Sequence, residues 1–596
     1  MSLPNEPDPT DTRPRRLRPS RLRPRDEERD EPWLAGASWE HRYVRERAGW
    51  SIVWLGVLTS GLGLWGSWWS WPVIGVLAPA IVLAGVLGLA WCWACASPRS
   101  WFHEGAAIVA VLTAMAAPLV VNIHFQRYYT TDSAALDHIA ARVLTQGHNP
   151  YTASLAAAGR LLDVPARFWT YTAGGGHVSQ ASYPAGSFLA YAPAFLLGFR
   201  HEIVDWMDLY AWIISVILLF ALLPATVRWL AGLVALTGIF VAVFSAGGTD
   251  AMLLPFLIVA VWRWDRYGEG RAAGIASWIG PLALGLACAL KQTPWFCVPF
   301  LVLGVGIEAS RAGRSPVRTS LRYLVVVIAA FAAVNLPFVI WNPIAWWRGT
   351  LTPLQAPLVA DGQGLISLVL HGITGGADLS LLTLASALGY LMVLAMFVTW
   401  YPRFKRVWLL LLPVPLFFAP RSLSSYLVDL VPVAVVAILT VRTSAQQSPP
   451  DRRSLSRFAP LVAILLALGT ALMAALALSS VPLELSIRSA AISRPDRSLN
   501  AVTVSVKNTT GTRVVPHFMV DTGSAHPTGF WLQASRQPVV IGPYASVTVT
   551  LYPSVFTNFP KRGSHWLVEA YTEVPRSLST SPLVWEGYTP KPGSPG

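Results

Sequence analysis

The sequence predicts an all-α polytopic transmembrane bundle of about twelve to fourteen spans, followed by a C-terminal β-sandwich-like domain. Hydrophobic residues make up 54% of the 596 residues and charged residues 13%, against about 25% charged residues in ordinary soluble domains. Apolar runs near the ~20 residues needed to cross hydrocarbon recur between residues 50 and 480. Beyond residue 480 the pattern changes to alternation. These three observations exclude a water-soluble globule.

The N-terminal segment, residues 1–48, is rich in Arg, Pro, Asp and Glu. Such a composition cannot bury enough apolar surface to offset the loss of chain entropy, so we expect a disordered cytoplasmic leader. The first apolar run begins near Trp50, which is not the position of a cleavable signal peptide.

Residues 49–480 carry the predicted transmembrane domain. Tryptophans cluster near the ends of its apolar runs, as expected for rings at the membrane interface; examples are Trp68, Trp69, Trp71, Trp346 and Trp347. The formal net charge of +14 does not predict nucleic-acid binding, because Lys and Arg collect on the cytoplasmic loops of membrane proteins. The four cysteines lie in apolar segments and are expected to pack as small hydrophobic residues rather than to bind zinc; they are Cys92, Cys95, Cys288 and Cys297.

Three basic clusters give the expected orientation in the cytoplasmic membrane. They are Arg311, Arg314, Arg318 and Arg322; Arg403, Lys405 and Arg406; and Arg442, Arg452, Arg453 and Arg457. Because two crossings fit between consecutive clusters, all three can be cytoplasmic, and the last span delivers residues 481–596 to the outside. Three crossings from a cytoplasmic N-terminus place the loop 125–183 outside as well. Between Tyr183 and Arg271 the runs give the wrong parity, which predicts a half-span or re-entrant piece there.

The C-terminal domain, residues 481–596, shows strand-like alternation. Residues 501–506 read Ala-Val-Thr-Val-Ser-Val and residues 546–551 read Ser-Val-Thr-Val-Thr-Leu. With turn residues at 508–511 and 542–543, this pattern predicts a small antiparallel β-sandwich without a catalytic constellation. Asn508-Thr509-Thr510 fits a glycosylation triplet, a pattern that is common by chance.

The most informative stretch runs from Tyr128 to Tyr151. Asp132 follows an apolar span and opens a helix-like run that ends at Gly147. We expect this helix to lie against the lipid with Ala135, Ile139 and Val143 on one face. Asp132 has two interpretations, a helix N-cap or a catalytic carboxylate at the outer membrane surface.

Further short motifs follow in order. They are Gly147-His148-Asn149-Pro150-Tyr151, Ser182-Tyr183-Pro184, Gly247-Gly248-Thr249-Asp250, Leu290-Lys291-Gln292-Thr293-Pro294, and Arg421 to Tyr426 before Pro432. In order and spacing, over roughly residues 105–440, these motifs resemble the GT-C superfamily of glycosyltransferases. They are most similar to bacterial polytopic mannosyltransferases and related enzymes that use polyprenyl-phosphate sugars. The chain departs from many relatives at Ala185, where they have a second proline, and in having Gly-Gly-Thr-Asp.

The resemblance implies inverting transfer of a sugar from a lipid phosphate. A phosphate leaves without protonation, so one carboxylate suffices to take the proton from the acceptor hydroxyl, whereas a glycoside hydrolase needs two. Asp132 is the expected base and Asp137 its reserve. Lys291 and Arg421 are expected to bind the donor phosphate, because cations beside apolar helices are costly. The expected substrate-binding residues are Tyr151, Tyr183, Asp250 and Tyr426.

Each of these side chains also has a structural interpretation. Lys291 can snorkel to the interface, Asp250 can cap the next helix, and Asp429 can pair with Arg421. The resemblance permits a divalent metal, but no ligand spacing indicates one, so no cofactor is expected.

The sequence thus predicts a glycosyltransferase that moves mannose or arabinofuranose from a polyprenyl-phosphate donor to a lipid-linked or polysaccharide acceptor on the outer face. The C-terminal domain is expected over the external cavity, either to dock the acceptor or as a passive cap. Two rivals are a transporter or flippase, for which internal repeats are expected and none is found, and a non-catalytic scaffold that presents the β domain.

Overall fold

In this computed structural model, the structure describes residues 39–68, 71–94, 101–125, 128–240, 249–269, 276–443, 459–492, 499–521, 528–535, 537–554 and 565–584. Most of the predicted leader, together with Cys95, Gly247, Gly248 and the basic residues 452–457, lies outside the described residues. The prediction of disorder stays a prediction for residues 1–38. It is wrong for residues 39–48, which form the start of the helix Trp39–Trp68.

Eight helices in the described residues are long and apolar enough to cross a membrane, as in a multi-pass membrane protein. They are Val44–Trp68 (the apolar part of the helix Trp39–Trp68), Pro72–Ala94, Trp101–Phe125, Ile203–Leu222, Thr293–Arg311, Pro316–Trp341, Leu379–Thr399 and Pro460–Ser479. Six shorter apolar helices bring the apolar helices of the described chain to fourteen: Gly186–Leu196, Ala225–Leu236, Ala251–Val261, Ser277–Leu290, Trp408–Phe418 and Val431–Thr440.

The number of full-length helices is thus smaller than the predicted number of spans. A helix of 11 or 12 residues is about 16–18 Å long, roughly half of the 30 Å hydrocarbon core. Three such pieces, Gly186–Leu196, Ala225–Leu236 and Ala251–Val261, fall in the region whose parity did not fit. Pro193, Pro224 and breaks in helical hydrogen bonding interrupt the apolar runs there. Most of these runs are therefore not complete membrane spans.

The remaining α-helices are short or amphipathic and lie in the segments between the apolar helices. They are Asp132–Thr145, Ala158–Leu161, Pro343–Gln355, Ser367–Leu370, Tyr401–Phe404 and Ser424–Val428. Helix starts follow local capping rules: the Asp378 carboxylate accepts from the amides of Ser380 (2.8 Å) and Leu381 (3.1 Å) and opens the helix Leu379–Thr399.

Large side chains fill the core between the helices. Trp408 is fully buried and stacks on Phe300 with ring centroids 4.9 Å apart. The described cysteines, Cys92, Cys288 and Cys297, are buried in the core, as expected for small hydrophobic residues. Lys405, used above as a cytoplasmic loop cation, is instead completely buried with its ammonium 3.4 Å from the Glu308 carboxylate. Because the Glu308 carboxylate offsets its charge inside the protein, Lys405 does not support a cytoplasmic position of this loop.

The C-terminal domain contains two four-stranded antiparallel sheets. In chain order, the strands of the described residues are β1 Asp361–Gly362, β2 Gly376–Asp378, β3 Arg421–Ser422, β4 Leu483–Ile492, β5 Leu499–Asn508, β6 His517–Asp521, β7 Leu532–Gln533, β8 Ser546–Tyr552, β9 Leu567–Thr572 and β10 Ser577–Thr580. Strands β1 and β3 form a separate two-stranded parallel sheet, and the other eight form the two four-stranded sheets. One sheet has the order β4-β5-β8-β7 and the other β2-β10-β9-β6. Side chains of both sheets share one core, which is the arrangement of a β-sandwich.

The alternating segments pair as their pattern predicts. In the ladder between β5 and β8, Val502 lies opposite Leu551 and Val504 opposite Val549. All four side chains are buried, so the apolar positions of both strands face the core. Asn508 ends β5 and is fully buried, and its side-chain amide donates to the carbonyls of Thr512 (2.7 Å) and Gly542 (2.9 Å). The glycosylation triplet is therefore inaccessible in the folded protein.

The sandwich is not built from residues 481–596 alone. Its edge strand β2 comes from residues 376–378, inside the predicted transmembrane domain, and pairs with β10. The helix Leu379–Thr399 follows β2 directly and packs along the last span, Ala459–Ser479. The described parts of the bundle and of the sandwich are thereby joined by hydrogen bonds as well as by the chain.

Candidate functional site

The helix Asp132–Thr145 lies in the loop that follows the third span. Its N-cap is Thr131, whose hydroxyl accepts from the Ala134 amide at 3.3 Å. The interpretation of Asp132 as the cap is therefore wrong. The helix ends as predicted, with Gly147 in the left-handed region at φ +81°. It does not lie against the lipid, because its residues 134–138, 140 and 141 are buried in a core shared with other parts of the protein.

Asp132 is held by the strand-like segment that carries Thr170. One carboxylate oxygen accepts from the Thr170 amide at 2.6 Å and the other from the Thr170 hydroxyl at 3.1 Å. A carboxylate has about four lone-pair positions, so these two hydrogen bonds do not saturate it. Burial raises the pKa of Asp132 above its ordinary value, and the Thr170 hydrogen bonds and the Arg421 guanidinium oppose part of that rise.

Asp137 lies deeper than Asp132, one turn further along the helix. Its Oδ1 accepts from the Ser187 hydroxyl at 2.9 Å, and its side chain is buried away from the cavity described below. Burial raises the pKa of Asp137 to about 7, Ser187 and Lys291 oppose the rise, and Asp132 adds to it. Its position does not suit a reserve base.

The raised pKa makes folding depend on pH. The folded protein holds the Asp137 proton at pH values where the unfolded chain has released it, so this stabilisation is present below about pH 4 and is lost as the pH rises through about 7. We expect Asp137→Asn to reduce the dependence of the free energy of unfolding on pH. The thermal unfolding midpoint of the native protein in detergent should fall more than that of the variant between about pH 5 and pH 8. The exposed Asp163→Asn serves as the control, and parallel curves for native protein and Asp137→Asn would contradict the expectation.

Lys291 lies between the helix Ala276–Leu290 and the short 3-10 helix Thr293–Cys297. The ammonium forms an ion pair with the buried Asp250 carboxylate. It lies 5.2 Å from the ring centroid of Tyr183 and 5.8 Å from that of Tyr426, within the range of cation–π attraction. Lys291 is only 6% exposed, so it does not snorkel to a lipid interface.

Arg421 lies in β3, which pairs in parallel with β1. Its Nη2 lies 3.2 Å from Oδ2 of Asp361, the facing residue in β1, and its Nη1 donates to the Val359 carbonyl at 3.4 Å. The expected pair between Arg421 and Asp429 is therefore wrong. Both Asp429 carboxylate oxygens are buried without a hydrogen-bond partner in the described chain.

A cavity of about 530 Å³ brings several of these side chains together. Its lining includes five of the eight expected site residues, Asp132, Tyr183, Lys291, Arg421 and Tyr426. Thr170, Gln292 and Arg576 also line it. The charged side chains in the lining are three cations and one carboxylate, a set suited to an anionic ligand. A second cavity, of about 590 Å³ between the helices of residues 57–113, is lined without any charged side chain and offers no acid, base or cation.

The other three expected site residues lie behind the cavity. Asp137 bonds Ser187 as described, and Asp250 pairs with Lys291. Tyr151 is buried and donates its hydroxyl proton to the Tyr183 carbonyl at 2.7 Å. Tyr151 and Asp250 therefore contact residues of the cavity lining rather than the cavity itself. Asp250 caps no helix through its side chain, so that alternative is wrong as well.

Sequence reasoning missed Thr170, Asp361 and Arg576. Asp361 lies in the stretch Asp361-Gly362-Gln363-Gly364, whose polar residues between apolar runs were a usable signal. Thr170 and Arg576 gave none, because each reaches the site through contacts between distant parts of the chain. Comparisons with known proteins add no assignment. No family model, curated protein or solved structure matches this chain.

Chemically, the described lining offers one ionisable carboxylate, three cations and four aromatic rings around one cavity; the rings are those of Tyr183, Phe296, Tyr390 and Tyr426. Within the described residues, no three or more His, Cys, Asp or Glu side chains are grouped to hold a metal ion. A carboxylate with a raised pKa is a stronger proton acceptor than an ordinary one. Cations at the other positions can stabilise negative charge that develops on a leaving phosphate.

Proposed function

We propose that the chain is a membrane glycosyltransferase that moves a sugar from a polyprenyl-phosphate donor to a lipid-linked or polysaccharide acceptor, with Asp132 as its single base. The observation that carries the proposal is that Asp132, Lys291 and Arg421 line one cavity. These residues are separated by more than 120 positions in the sequence. Their residue types give them complementary roles in one reaction, a base and two cations for the leaving phosphate.

In this mechanism, Asp132 accepts the proton of the acceptor hydroxyl. The acceptor oxygen bonds to the anomeric carbon, the bond from that carbon to the phosphate oxygen breaks, and the electron pair leaves with the phosphate. Because attack comes from the face opposite the phosphate, the anomeric configuration inverts. Lys291 and Arg421 offset the charge of the phosphate as it leaves.

Three other side chains hold these groups in place. Thr170 fixes the Asp132 carboxylate through both oxygens. Tyr183 and Tyr426 flank the Lys291 ammonium and line the cavity, where aromatic rings can pack against the apolar face of a sugar.

The proposal includes a location. The site is assigned to the outer face of the cytoplasmic membrane, with the N-terminus in the cytoplasm and the C-terminal domain outside. Its support is the asymmetry of basic residues in the sequence together with the presence of residues from both the loop 125–183 and the C-terminal domain in the lining of one cavity. Mannose and arabinofuranose are the first donor sugars to test.

The test is transfer of radiolabelled sugar by membranes that carry the full chain. Polyprenyl-phosphate mannose and polyprenyl-phosphate arabinofuranose serve as donors, with lipid and polysaccharide extracts of the same membranes as acceptors. We expect labelled product with one donor, one equivalent of polyprenyl phosphate released per sugar, and inverted configuration. Membranes without the chain are the control. Movement of intact donor between leaflets without transfer would instead identify a flippase and contradict the proposal.

A further inference from the structure

Arg576 belongs to the C-terminal domain but lines the cavity of the membrane domain. It lies in the turn between β9 and β10. Its carbonyl accepts from the Leu379 amide at 3.0 Å, beside the ladder of β10 with β2. The backbone of Arg576 is thus fixed at the start of the helix Leu379–Thr399.

The guanidinium groups of Arg576 and Arg421 are held by consecutive carbonyls. Arg576 Nη2 donates to Leu358 O at 3.2 Å, and Arg421 Nη1 donates to Val359 O at 3.4 Å. The segment that supplies these carbonyls is itself fixed, because the Val359 amide donates to the Tyr171 carbonyl at 3.0 Å. Two positive charges are therefore held next to each other at one end of the cavity.

Their charges are not equally offset. Arg421 has the Asp361 carboxylate at 3.2 Å. Arg576 forms no ion pair in the described part of the chain, and the carboxylate of nearby Asp378 is engaged in capping a helix. The Nε of Arg576 is buried and has no hydrogen-bond partner among the described residues. Burial and the neighbouring Arg421 lower the pKa of Arg576, as expected when a like charge is close and no counter-charge is bound.

An unpaired buried N–H donor on a cation is costly unless a ligand accepts from it. Guanidinium groups bind phosphate oxygens in pairs through their fixed fork of donors. We propose that Arg576 and Arg421 together bind a phosphate group of a lipid substrate, so that the C-terminal domain supplies a binding residue to the cavity. That this lipid is a polyprenyl phosphate rests on the proposed function. The binding of a phosphate group by the two arginines does not rest on it.

The same phosphate chemistry has two sources. A monophosphate belongs to the sugar donor, and a diphosphate belongs to a lipid-linked acceptor. If the bound phosphate belongs to the donor, Arg576 contacts the leaving group together with Arg421. The second source makes Arg576 the point at which the C-terminal domain docks the acceptor.

The test is a binding titration with the purified full chain in detergent. The probes are farnesyl phosphate, farnesyl diphosphate and farnesol, which differ in phosphate content alone. We expect Arg576→Gln to weaken binding of one phosphate probe about 10- to 100-fold, the effect of losing a hydrogen bond to a charged group, and to leave farnesol binding unchanged. Loss with the monophosphate assigns the donor, and loss confined to the diphosphate assigns the acceptor; both support the inference.

Two further variants separate binding from folding. Arg513→Gln removes an exposed arginine of the same domain and should bind all probes like the native chain. Arg576→Lys keeps the charge without the fork and should lie between the native chain and Arg576→Gln, with a native-like thermal midpoint. The inference is overturned if Arg576→Gln and the native chain bind both phosphate probes equally. Failure of the proposed function is distinct, because it would show as absent sugar transfer with Arg576-dependent phosphate binding intact.

Discussion

Asp132→Asn is expected to lower the rate of sugar transfer about 100- to 10 000-fold, the usual contribution of a general base. Asparagine has almost the same shape, its Oδ1 can accept from the Thr170 amide and its NH₂ group can donate to the Thr170 hydroxyl oxygen, but it cannot take a proton from the acceptor hydroxyl. The affinity for the donor should change little, because the cations that bind its phosphate remain. The measurement is steady-state transfer of labelled sugar, with kcat and KM determined separately.

The pH dependence gives a second readout of the same residue. The base works only when ionised, and burial raises the pKa of Asp132. The acid limb of kcat should therefore lie above the range of an ordinary carboxyl group, with activity lost as the pH falls through the raised pKa. Asp132→Asn should abolish this limb from its residual rate.

Asp163→Asn is the matched control. Asp163 is an exposed carboxylate of the same loop with φ +51°, a conformation that asparagine adopts readily. This control should transfer sugar like the native chain. Equal rates of transfer for native protein and Asp132→Asn would remove Asp132 as the base.

The parts of the site that sequence could predict share one physical property. Asp132, Lys291 and Arg421 are charged residues next to apolar runs, and such positions are costly enough that a reason for them is expected. The energetic cost of a charge next to an apolar run does not indicate whether that side chain faces the cavity or lies behind it. Asp137 was expected as a reserve base and Asp250 and Tyr151 as substrate-binding residues, and the structure places all three behind the cavity lining.

The C-terminal domain shows the corresponding limit for the fold. Alternation in β5 and β8 is a local signal, so both strands and their buried faces could be predicted. Strand β2 is three residues long and lies about 200 residues from its partner β10. Its pairing depends on tertiary contacts that no local pattern contains, and the position of Arg576 in the cavity depends on that pairing. Similarly, apolar composition located the helices but did not reveal which of them are too short to cross alone.

Lys291→Met is expected to have the largest combined effect on transfer and stability. It leaves the Asp250 carboxylate buried without its cation, beside an Asp429 carboxylate that has no hydrogen-bond partner in the described chain. Breaking a buried ion pair in this way costs about 3–5 kcal/mol. Loss of a cation at the leaving phosphate should also lower the transfer rate about 100- to 1000-fold. Thermal unfolding in detergent and transfer per folded molecule measure the two effects separately.

The double variant Lys291→Met with Asp250→Asn distinguishes a phosphate-binding lysine from a purely structural one. Removing both charges abolishes the unpaired carboxylate, so the unfolding midpoint should recover most of the loss. Transfer should stay at the level of the single variant if Lys291 acts on the substrate, whereas a lysine that serves only to neutralise Asp250 predicts that transfer returns with stability.

The pair Lys405 and Glu308 provides the control. It is a second buried ion pair, and neither residue lines the cavity. Lys405→Met should destabilise the chain less than Lys291→Met, because Arg311 Nη1 remains 3.4 Å from the Glu308 carboxylate, and the molecules that remain folded should transfer sugar at the native rate. The contrast between the two lysines then isolates what the cavity adds. Both ammonium groups are buried against a carboxylate, but only Lys291 lies between two aromatic rings facing a space large enough for a sugar phosphate.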